Sequence, residues 1–186
     1  MTPRGLLVVI SGPSGVGKTS IADGLLRSPE YARAITATTR SPRAGEVSGR
    51  DYHFLADEEF RARVARGEFL EHAEVHGRLY GTPRAAVDAI LSRGLVCLLV
   101  IDVQGAATLR NDNVEALYVF VAPPSLDELE SRLRGRGTEF PDAMKSRLAT
   151  ARLELARQGE FDTVVINDDL ERVVGEISGL VQGRRQ

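Results

Sequence analysis

The feature that most constrains this chain is a glycine-rich loop pattern close to its first residue. The pattern occupies Ser11, Gly12, Pro13, Ser14, Gly15, Val16, Gly17, Lys18 and Thr19. It follows the apolar run from Leu6 to Ile10 and leads into a helix-like stretch from Thr19 to Leu26. The spacing G-x4-G-K-S/T between a strand and a helix is typical of loops that bind nucleotide phosphates. The chain is therefore expected to contain a phosphate-binding turn between its first strand and its first helix.

The residue types in this loop suit an anionic ligand. Glycines allow successive backbone N–H groups to turn inward around a phosphate, and the N-terminus of the following helix adds partial positive charge. In such a loop Lys18 reaches the β- and γ-phosphates, and the Thr19 hydroxyl is available to Mg²⁺. The alternative is a glycine-rich turn between a strand and a helix that binds no ligand.

Composition narrows the class of protein further. A length of 186 residues suits one compact domain. The net charge of -2 gives no basis for binding nucleic acid polymers, which depends mostly on neutralising phosphates. The single cysteine, Cys97, lies in an apolar run and allows no internal disulfide. Because no apolar segment approaches about 18 residues and no secretion signal is visible, we expect a soluble cytoplasmic protein that makes no membrane contact.

Short apolar runs recur along the chain, with helix-like stretches between them. They span residues 6–10, 95–101, 116–122 and 163–166. This alternation predicts an α/β fold of three layers, in which a mainly parallel sheet is covered by helices on both faces. Thr82-Pro83 predicts a helix start with an N-cap and a first-turn proline, and Ser125 with Glu128 has the spacing of a capping box.

The segment from Tyr31 to Arg93 breaks this pattern, because it has no long apolar run and its polar and aromatic residues crowd into short pieces. It is expected to be an insertion on the parallel core. Arg40 and Arg43 flank a proline and have tyrosines nearby, so they can form a rigid fork for a second phosphate. The alternative is an arginine-rich loop exposed to solvent, and spacing alone leaves both open.

Seven further blocks follow the loop in order. They read TTRSPRAGEVSGRDYHF, FLEHAEV, LYGT, VIDVQGA, APPS, RLRGRGTE and INDD. With these blocks the chain resembles the guanylate kinases, P-loop proteins that phosphorylate GMP from ATP. The resemblance implies ATP and GMP as substrates, with dGMP as a further candidate, and Mg²⁺ bound with ATP. It also implies a core at 1–33, 94–125 and 151–186, a GMP-binding insertion at 34–93 and a mobile helical lid at 126–150.

The resemblance also implies roles for individual residues. The implied ATP site comprises the loop from Ser11 to Thr19 together with Asn167, with Thr19 as the metal ligand. The implied GMP site comprises Arg40, Arg43, Tyr52 and Tyr80 around the phosphate, and Thr36, Glu71, Thr82 and Asp102 near the guanine. The implied catalytic residues are Lys18, Arg40, Arg136 and Arg147, with Arg132 as a further lid candidate.

Glu71 is the predicted specificity residue, and its chemistry agrees with the implied role. Guanine presents an N1–H donor beside its N2 amino group, so one carboxylate can accept from both. Adenine has no N1–H and would leave the acid unpaired. A site built around such a hydrogen bond can reject the analogue that lacks it by about 10⁴- to 10⁵-fold.

The implied reaction is direct in-line transfer of the γ-phosphoryl group to a phosphate oxygen of GMP, without a covalent protein intermediate. A phosphate monoester has a second pKa of about 6, so the acceptor is mostly dianionic at neutral pH and needs no general base. Catalysis then depends on positioning and on neutralising charge.

One residue departs from the family pattern. Val100 lies two positions before Asp102, where relatives commonly have an acidic residue, so the metal ligands beyond Thr19 stay open.

Two alternative functions remain. They are a non-catalytic guanylate-kinase-like binding module and a P-loop kinase for another nucleoside monophosphate. The intact loop disfavours the first, and Glu71 with the paired phosphate ligands disfavours the second.

Overall fold

A computed structural model describes residues 5–75, 77–134 and 141–186, without the side chains of 141–143. In chain order the elements are β1 (Leu6–Ser11), α1 (Lys18–Leu25), β2 (Tyr31–Arg33), β3 (Ala37–Thr38), β4 (His53–Phe54), α2 (Asp57–Ala65), β5 (Phe69–Val75), β6 (Arg78–Pro83), α3 (Arg84–Leu91), β7 (Val96–Val100), α4 (Val103–Asn111), β8 (Leu117–Ala122), α5 (Leu126–Arg134), α6 (Pro141–Ala156), a 3-10 turn (Gln158–Glu160), β9 (Thr163–Ile166) and α7 (Leu170–Arg185). Within these ranges no helix combines the length and the apolar character that a membrane crossing requires.

The larger sheet has five parallel strands in the order β2-β7-β1-β8-β9. Strands β1, β7, β8 and β9 coincide with the apolar runs of the sequence. The predicted α/β fold with a parallel core sheet is therefore confirmed. The edge strand β2 contains only Tyr31, Ala32 and Arg33 and carries no apolar run, so the sequence pattern did not reveal it.

Alternate residues of β1 build the core on the two faces of this sheet. Val8 and Ile10 pack with residues of α1 and α7, whereas Leu7 and Val9 pack with residues of α3 and α4. Cys97 is fully buried on the second face, as expected for a small core residue. Helices thus cover both faces, which gives the three predicted layers.

A second, smaller sheet is formed by residues between β2 and α3, in the order β4-β3-β6-β5. Strand β6 runs antiparallel to both β3 and β5. Phe60 of α2 stacks on Phe69 of β5, with ring centroids 4.5 Å apart, and gives this sheet its own small core. The sheet lies inside the segment expected to be an insertion, and the division into core, insertion and lid stays a prediction.

One predicted helix start is wrong and another is confirmed. The N-cap of α3 is Pro83 rather than Thr82, and no side chain caps this helix. Thr82 belongs to β6 and its hydroxyl donates to Glu71 instead. A buried carboxylate is costly to leave unpaired, whereas water can satisfy an exposed helix N-terminus. At α5 the predicted cap holds, because the Ser125 hydroxyl oxygen accepts from the Glu128 N–H at 3.1 Å.

Candidate active site

The predicted phosphate loop joins the carboxyl end of β1 to the N-terminus of α1. Gly12 and Gly17 have φ angles of 140° and 101°, which residues with a Cβ rarely adopt. A Cβ at Gly12 would also lie 2.2 Å from the carbonyl oxygen of Val121 on β8. The Lys18 Nζ donates to the carbonyl oxygens of Gly12 at 2.6 Å and Pro13 at 2.9 Å. The glycines therefore shape a tight turn, and the ammonium group is held against that turn.

Asn167, which follows β9, forms a hydrogen bond to the backbone of the phosphate loop. Its buried side-chain amide donates to the carbonyl oxygen of Val16 at 2.7 Å. This contact requires Gly17, since a Cβ there would lie 2.4 Å from the Asn167 amide nitrogen. The carbonyl oxygen of Asn167 in turn accepts from Arg132 of α5 at 3.0 Å. The implied contact of Asn167 with ATP and the implied lid role of Arg132 stay predictions.

Glu71 lies on β5 directly opposite Thr82 on β6 and is only 4% exposed. The Thr82 hydroxyl donates to its Oε1 at 2.5 Å. Burial raises the pKa of Glu71 to about 7, the Thr82 hydrogen bond opposes this shift, and the nearby charge of Asp102 adds to it. A buried carboxylate with a pKa near neutrality at a cavity wall is typical of a functional site.

Asp102 caps the N-terminus of α4, immediately after β7. Its Oδ1 accepts from the N–H groups of Gln104 at 2.7 Å and Gly105 at 3.2 Å. These two bonds fix the first turn of α4 beside Glu71. Val100, Ile101 and Asp102 all line the same cavity. Strand alternation does not account for this placement, because β7 ends at Val100.

Many of the implied site residues line one cavity of about 260 Å³. They are Gly12, Ser14, Lys18 and Thr19 from the phosphate loop and α1, Thr36, Arg43, Tyr52, Glu71, Tyr80 and Asp102 from the segment around the second sheet and α4, and Arg147 from α6. The cavity thus brings together residues implied for both nucleotides. The implied residues that do not line it are Ser11, Pro13, Gly15, Val16, Gly17, Arg40, Thr82, Arg132 and Asn167. Arg136 lies outside the described residues.

Arg40 is held by Glu46, a carboxylate to which the sequence pattern assigned no role. Its Nη1 and Nη2 atoms donate to the two carboxylate oxygens of Glu46, each at 2.9 Å. Glu46 also accepts from the backbone N–H of Arg43 at 2.6 Å. The pair raises the pKa of Arg40 and lowers that of Glu46. Arg40 also lies over the Tyr52 ring, 5.3 Å from its centroid, so its guanidinium is held on two sides, and the phosphate fork of Arg40 and Arg43 stays a prediction.

Glu154 is a second residue at the site that sequence reasoning missed. It lines the cavity from α6, together with Arg147 and Thr150. Burial raises the pKa of Glu154, the positive charge of Lys18 opposes that shift, and Asp102 adds to it. A carboxylate therefore lies close enough to the phosphate loop to interact with its lysine. In the sequence Glu154 is an ordinary helix glutamate, and no local signal distinguishes it.

Thr19 is the residue implied to bind Mg²⁺. It lines the cavity in the first turn of α1. Among residues 5–75, 77–134 and 141–186, no group of three or more His, Cys, Asp or Glu side chains could hold a metal ion. Mg²⁺ often takes only one or two protein ligands and completes its shell with substrate phosphates and water. A single threonine hydroxyl is an oxygen donor of the kind that such an ion accepts, and the metal role of Thr19 stays a prediction.

The fold and the site together define a class of protein. A parallel α/β core carries a glycine-rich loop after its first strand, and the cavity beyond that loop is also lined by the buried carboxylate of Glu71 and by Arg43. This combination is typical of P-loop nucleotide phosphotransferases.

Comparison with known proteins identifies the family. The family model for guanylate kinase matches residues 4–183. Guanylate kinase from Rhodococcus jostii is 48% identical, with 97% of this chain and 89% of the relative covered. Guanylate kinase from Parasynechococcus marenigrum is 49% identical, with coverages of 95% and 98%. The chain belongs to the guanylate kinase family, and the family predicted from its sequence is confirmed.

Solved structures agree with this assignment. The crystal structure of guanylate kinase from Anaplasma phagocytophilum superposes with a TM-score of 0.82 at 33% identity, covering 99% of this chain and 88% of that one. A shikimate kinase from Bacteroides thetaiotaomicron, at 15% identity and a TM-score of 0.51, shares the fold alone.

Proposed function

We propose that the chain transfers the γ-phosphoryl group of ATP to GMP, giving ADP and GDP, with Mg²⁺ bound alongside ATP. The observation that carries this proposal is the shared cavity, which is lined both by Lys18 and Thr19 of the phosphate loop and by the buried Glu71. The guanylate kinase names of relatives that match nearly the whole chain support the same reaction.

Glu71 recognises the guanine base. Its carboxylate accepts from N1–H and from the N2 amino group, while Thr82 fixes one of its oxygens. Because Glu71 must be ionised to accept both bonds and has a pKa of about 7, guanine binding favours loss of its proton near neutral pH. Adenine would leave this buried acid without a donor, so AMP is rejected.

Arg40, Arg43, Tyr52 and Tyr80 bind the GMP phosphate. Arginine has five N–H donors, and Arg40 uses three of them for Glu46 and for the carbonyl oxygen of Ser41, with Tyr80 as a further partner. This leaves a donor for a phosphate oxygen, and the bonds to Glu46 keep the guanidinium from turning away. The acceptor oxygen is thereby held in a fixed position, which removes much of the entropic barrier to transfer.

Lys18 and the backbone N–H groups of the phosphate loop bind the donor phosphates, and Arg147 approaches the same cavity from α6. Thr19 would hold Mg²⁺, which supplies neutralisation of phosphate charge when bound. Arg136 is the further implied supplier of positive charge. Because the acceptor is mostly dianionic, these groups need only position the reactants and stabilise charge on the transferring group.

A coupled assay of ADP release tests the function. The purified chain is supplied with magnesium ATP and, in separate reactions, with GMP, dGMP, AMP, CMP or UMP. We expect the highest kcat/KM with a guanine nucleotide and little ADP release when the acceptor is omitted. No turnover with GMP would indicate a binding module instead, and a preference for AMP would indicate a different nucleoside monophosphate kinase.

A further inference from the structure

We propose that Gly105, in the first turn of α4, is a specificity-determining residue that positions Glu71 for the guanine base. This inference rests on the proposed function. Gly105 is buried and has an ordinary helical backbone, so neither a turn nor a positive φ angle accounts for the glycine. In a helix interior, glycine is intrinsically less favourable than alanine. A helical glycine at this place therefore calls for a reason in its surroundings.

The reason is the space occupied by the Glu71 carboxylate. A Cβ at Gly105 would lie 2.6 Å from Glu71 Oε2 and 3.2 Å from its carboxyl carbon. Its next contact would be Ile101 Cδ1 at 3.4 Å, which is ordinary van der Waals distance. Contacts below 3.0 Å essentially do not occur for real Cβ atoms, so either the helix or the carboxylate would have to move.

The carboxylate would move more readily than the helix. The first turn of α4 is fixed by Asp102, which accepts from Gln104 and Gly105 at 2.7 Å and 3.2 Å. Glu71 Oε2, by contrast, is at the far end of a side chain with rotatable bonds. A methyl group at position 105 would therefore leave the fold intact and turn Oε2 away from its present position.

Glu71 is thus positioned at both oxygens. The Thr82 hydroxyl holds Oε1 at 2.5 Å, and the backbone of α4 at Gly105 limits where Oε2 can lie. Paired hydrogen bonds to N1–H and the N2 amino group require both oxygens in register with the base, and recognition groups tolerate only about 0.5 Å of displacement. Gly105 acts through Glu71 and does not itself need to contact the nucleotide.

The test compares Gly105→Ala with Gly179→Ala. Gly179 lies in α7, and a methyl group added there would have nothing within 4 Å, so its substitution adds the same group without a contact. For Gly105→Ala we expect kcat/KM for GMP to fall by about 10- to 100-fold, with the KM for ATP and the thermal unfolding temperature little changed. Gly179→Ala should retain parental kinetics. Equal kinetics for Gly105→Ala and the parent would overturn the inference.

A double-mutant cycle with Glu71→Gln separates positioning from a general packing role. If Gly105 acts through the Glu71 carboxylate, adding Gly105→Ala to Glu71→Gln should lower kcat/KM much less than it lowers that of the parent. Losses that multiply to within about twofold would contradict the inference. Should Gly105→Ala unfold, Glu71→Ala in the same chain must restore its thermal stability, and a persistent defect would also contradict it. Parental turnover of GMP, measured in the same series, tests the proposed function separately.

Discussion

The predicted phosphate loop and the proposed guanine pocket contribute residues to the same cavity, but one is built from backbone and the other from side chains. The loop is built from backbone, and its shape depends on glycines with positive φ angles at positions 12, 15 and 17. The guanine pocket is built from side chains on separate elements, with Glu71 on β5, Thr82 on β6 and Asp102 before α4. The first is continuous in the sequence, whereas the second exists only after a second sheet has formed.

Because of this difference, the two regions should tolerate different amino-acid substitutions. A backbone site depends on φ angles and close packing, such as the contact that Gly17 allows between Asn167 and the loop. A side-chain site depends on burial and on the partners of each polar group, as the raised pKa of Glu71 shows. Substitutions that remove a charge from the loop should affect transfer itself, and those in the pocket should affect the choice of acceptor.

The largest effect is expected for Lys18→Met. Removing one preorganised positive group at a site of developing charge should lower kcat by about 10²- to 10³-fold. Lys145→Met is a matched control, because Lys145 is the only other lysine and is exposed on α6. Steady-state assays with GMP and ATP measure both variants. A loss confined to the KM for GMP would contradict the division of roles between the two regions.

Glu71→Gln should come next and should act on acceptor choice. The amide replaces one acceptor oxygen with a donor, so kcat/KM for GMP should fall by about 10- to 100-fold, the usual worth of a hydrogen bond to a charged group. The KM for ATP should change little. Glu74→Gln, on the exposed side of the same strand, is the control. An equal loss in both variants would remove Glu71 from the guanine pocket.

Asn167→Ala tests whether the backbone loop depends on a side chain behind it. The change leaves the buried carbonyl oxygen of Val16 without its donor at 2.7 Å. Because a lost buried partner costs about 1 to 3 kcal/mol, we expect the KM for ATP to rise about tenfold. The KM for GMP should stay near its parental value. Asn111→Ala, at the exposed end of α4, is the control, and an unchanged KM for ATP in Asn167→Ala would show that the loop holds its shape alone.

The pH dependence should distinguish the pocket from the loop. The pKa of Glu71 in the folded protein is about 7, above the ordinary value of 4.5, because burial disfavours its charged form. Its contribution to the stability of the ligand-free protein is thus fully present below pH 4.5 and is lost as the pH rises through 7. GMP binding has the opposite dependence, since it requires the ionised form.

We therefore expect kcat/KM for GMP to fall about fivefold from pH 7 to pH 6 through Glu71. GMP also titrates in this range, so the profile of Glu71→Gln supplies the contribution of the substrate. Superimposable profiles for the two proteins would contradict the assignment of this pKa to guanine binding.

The smallest effect is expected for Val100→Asp, which adds a carboxylate where the loop and the pocket meet. A partly exposed charge interaction is worth less than about 1 kcal/mol, so the half-saturating Mg²⁺ concentration should fall about threefold. Titration of activity with Mg²⁺ and of nucleotide binding by calorimetry measure the change, with Val100→Asn as the uncharged control. An equal shift with Asn would show that charge is not the cause.

Prediction from the sequence was most complete for elements that are specified by residues adjacent in the chain. The strands at 6–10 and 116–122, the start of α5 and the phosphate loop each have a continuous pattern, and the structure has elements at those places. Strand β2 was missed because three residues without an apolar run carry no such pattern. The expected cap at Thr82 was wrong because its hydroxyl pairs with Glu71, a choice that depends on a neighbouring strand. The roles of individual site residues stay predictions that the variants above test.

The amino-acid sequence by itself determined the glycine-rich loop and the α/β class, because glycine spacing and apolar periodicity depend on residues close together in the chain. The family followed from the resemblance carried by seven ordered sequence blocks. Only the tertiary structure decided that Glu46 would hold Arg40, that Glu154 would line the cavity near Lys18 and that Gly105 would make room for Glu71. The contacts of Glu154 and Gly105 join elements that are distant in the sequence, whereas Arg40 and Glu46 lie six residues apart in one loop whose conformation no sequence pattern specified. Burial and the partners of a polar group are properties of tertiary packing, and they decide what a carboxylate can bind.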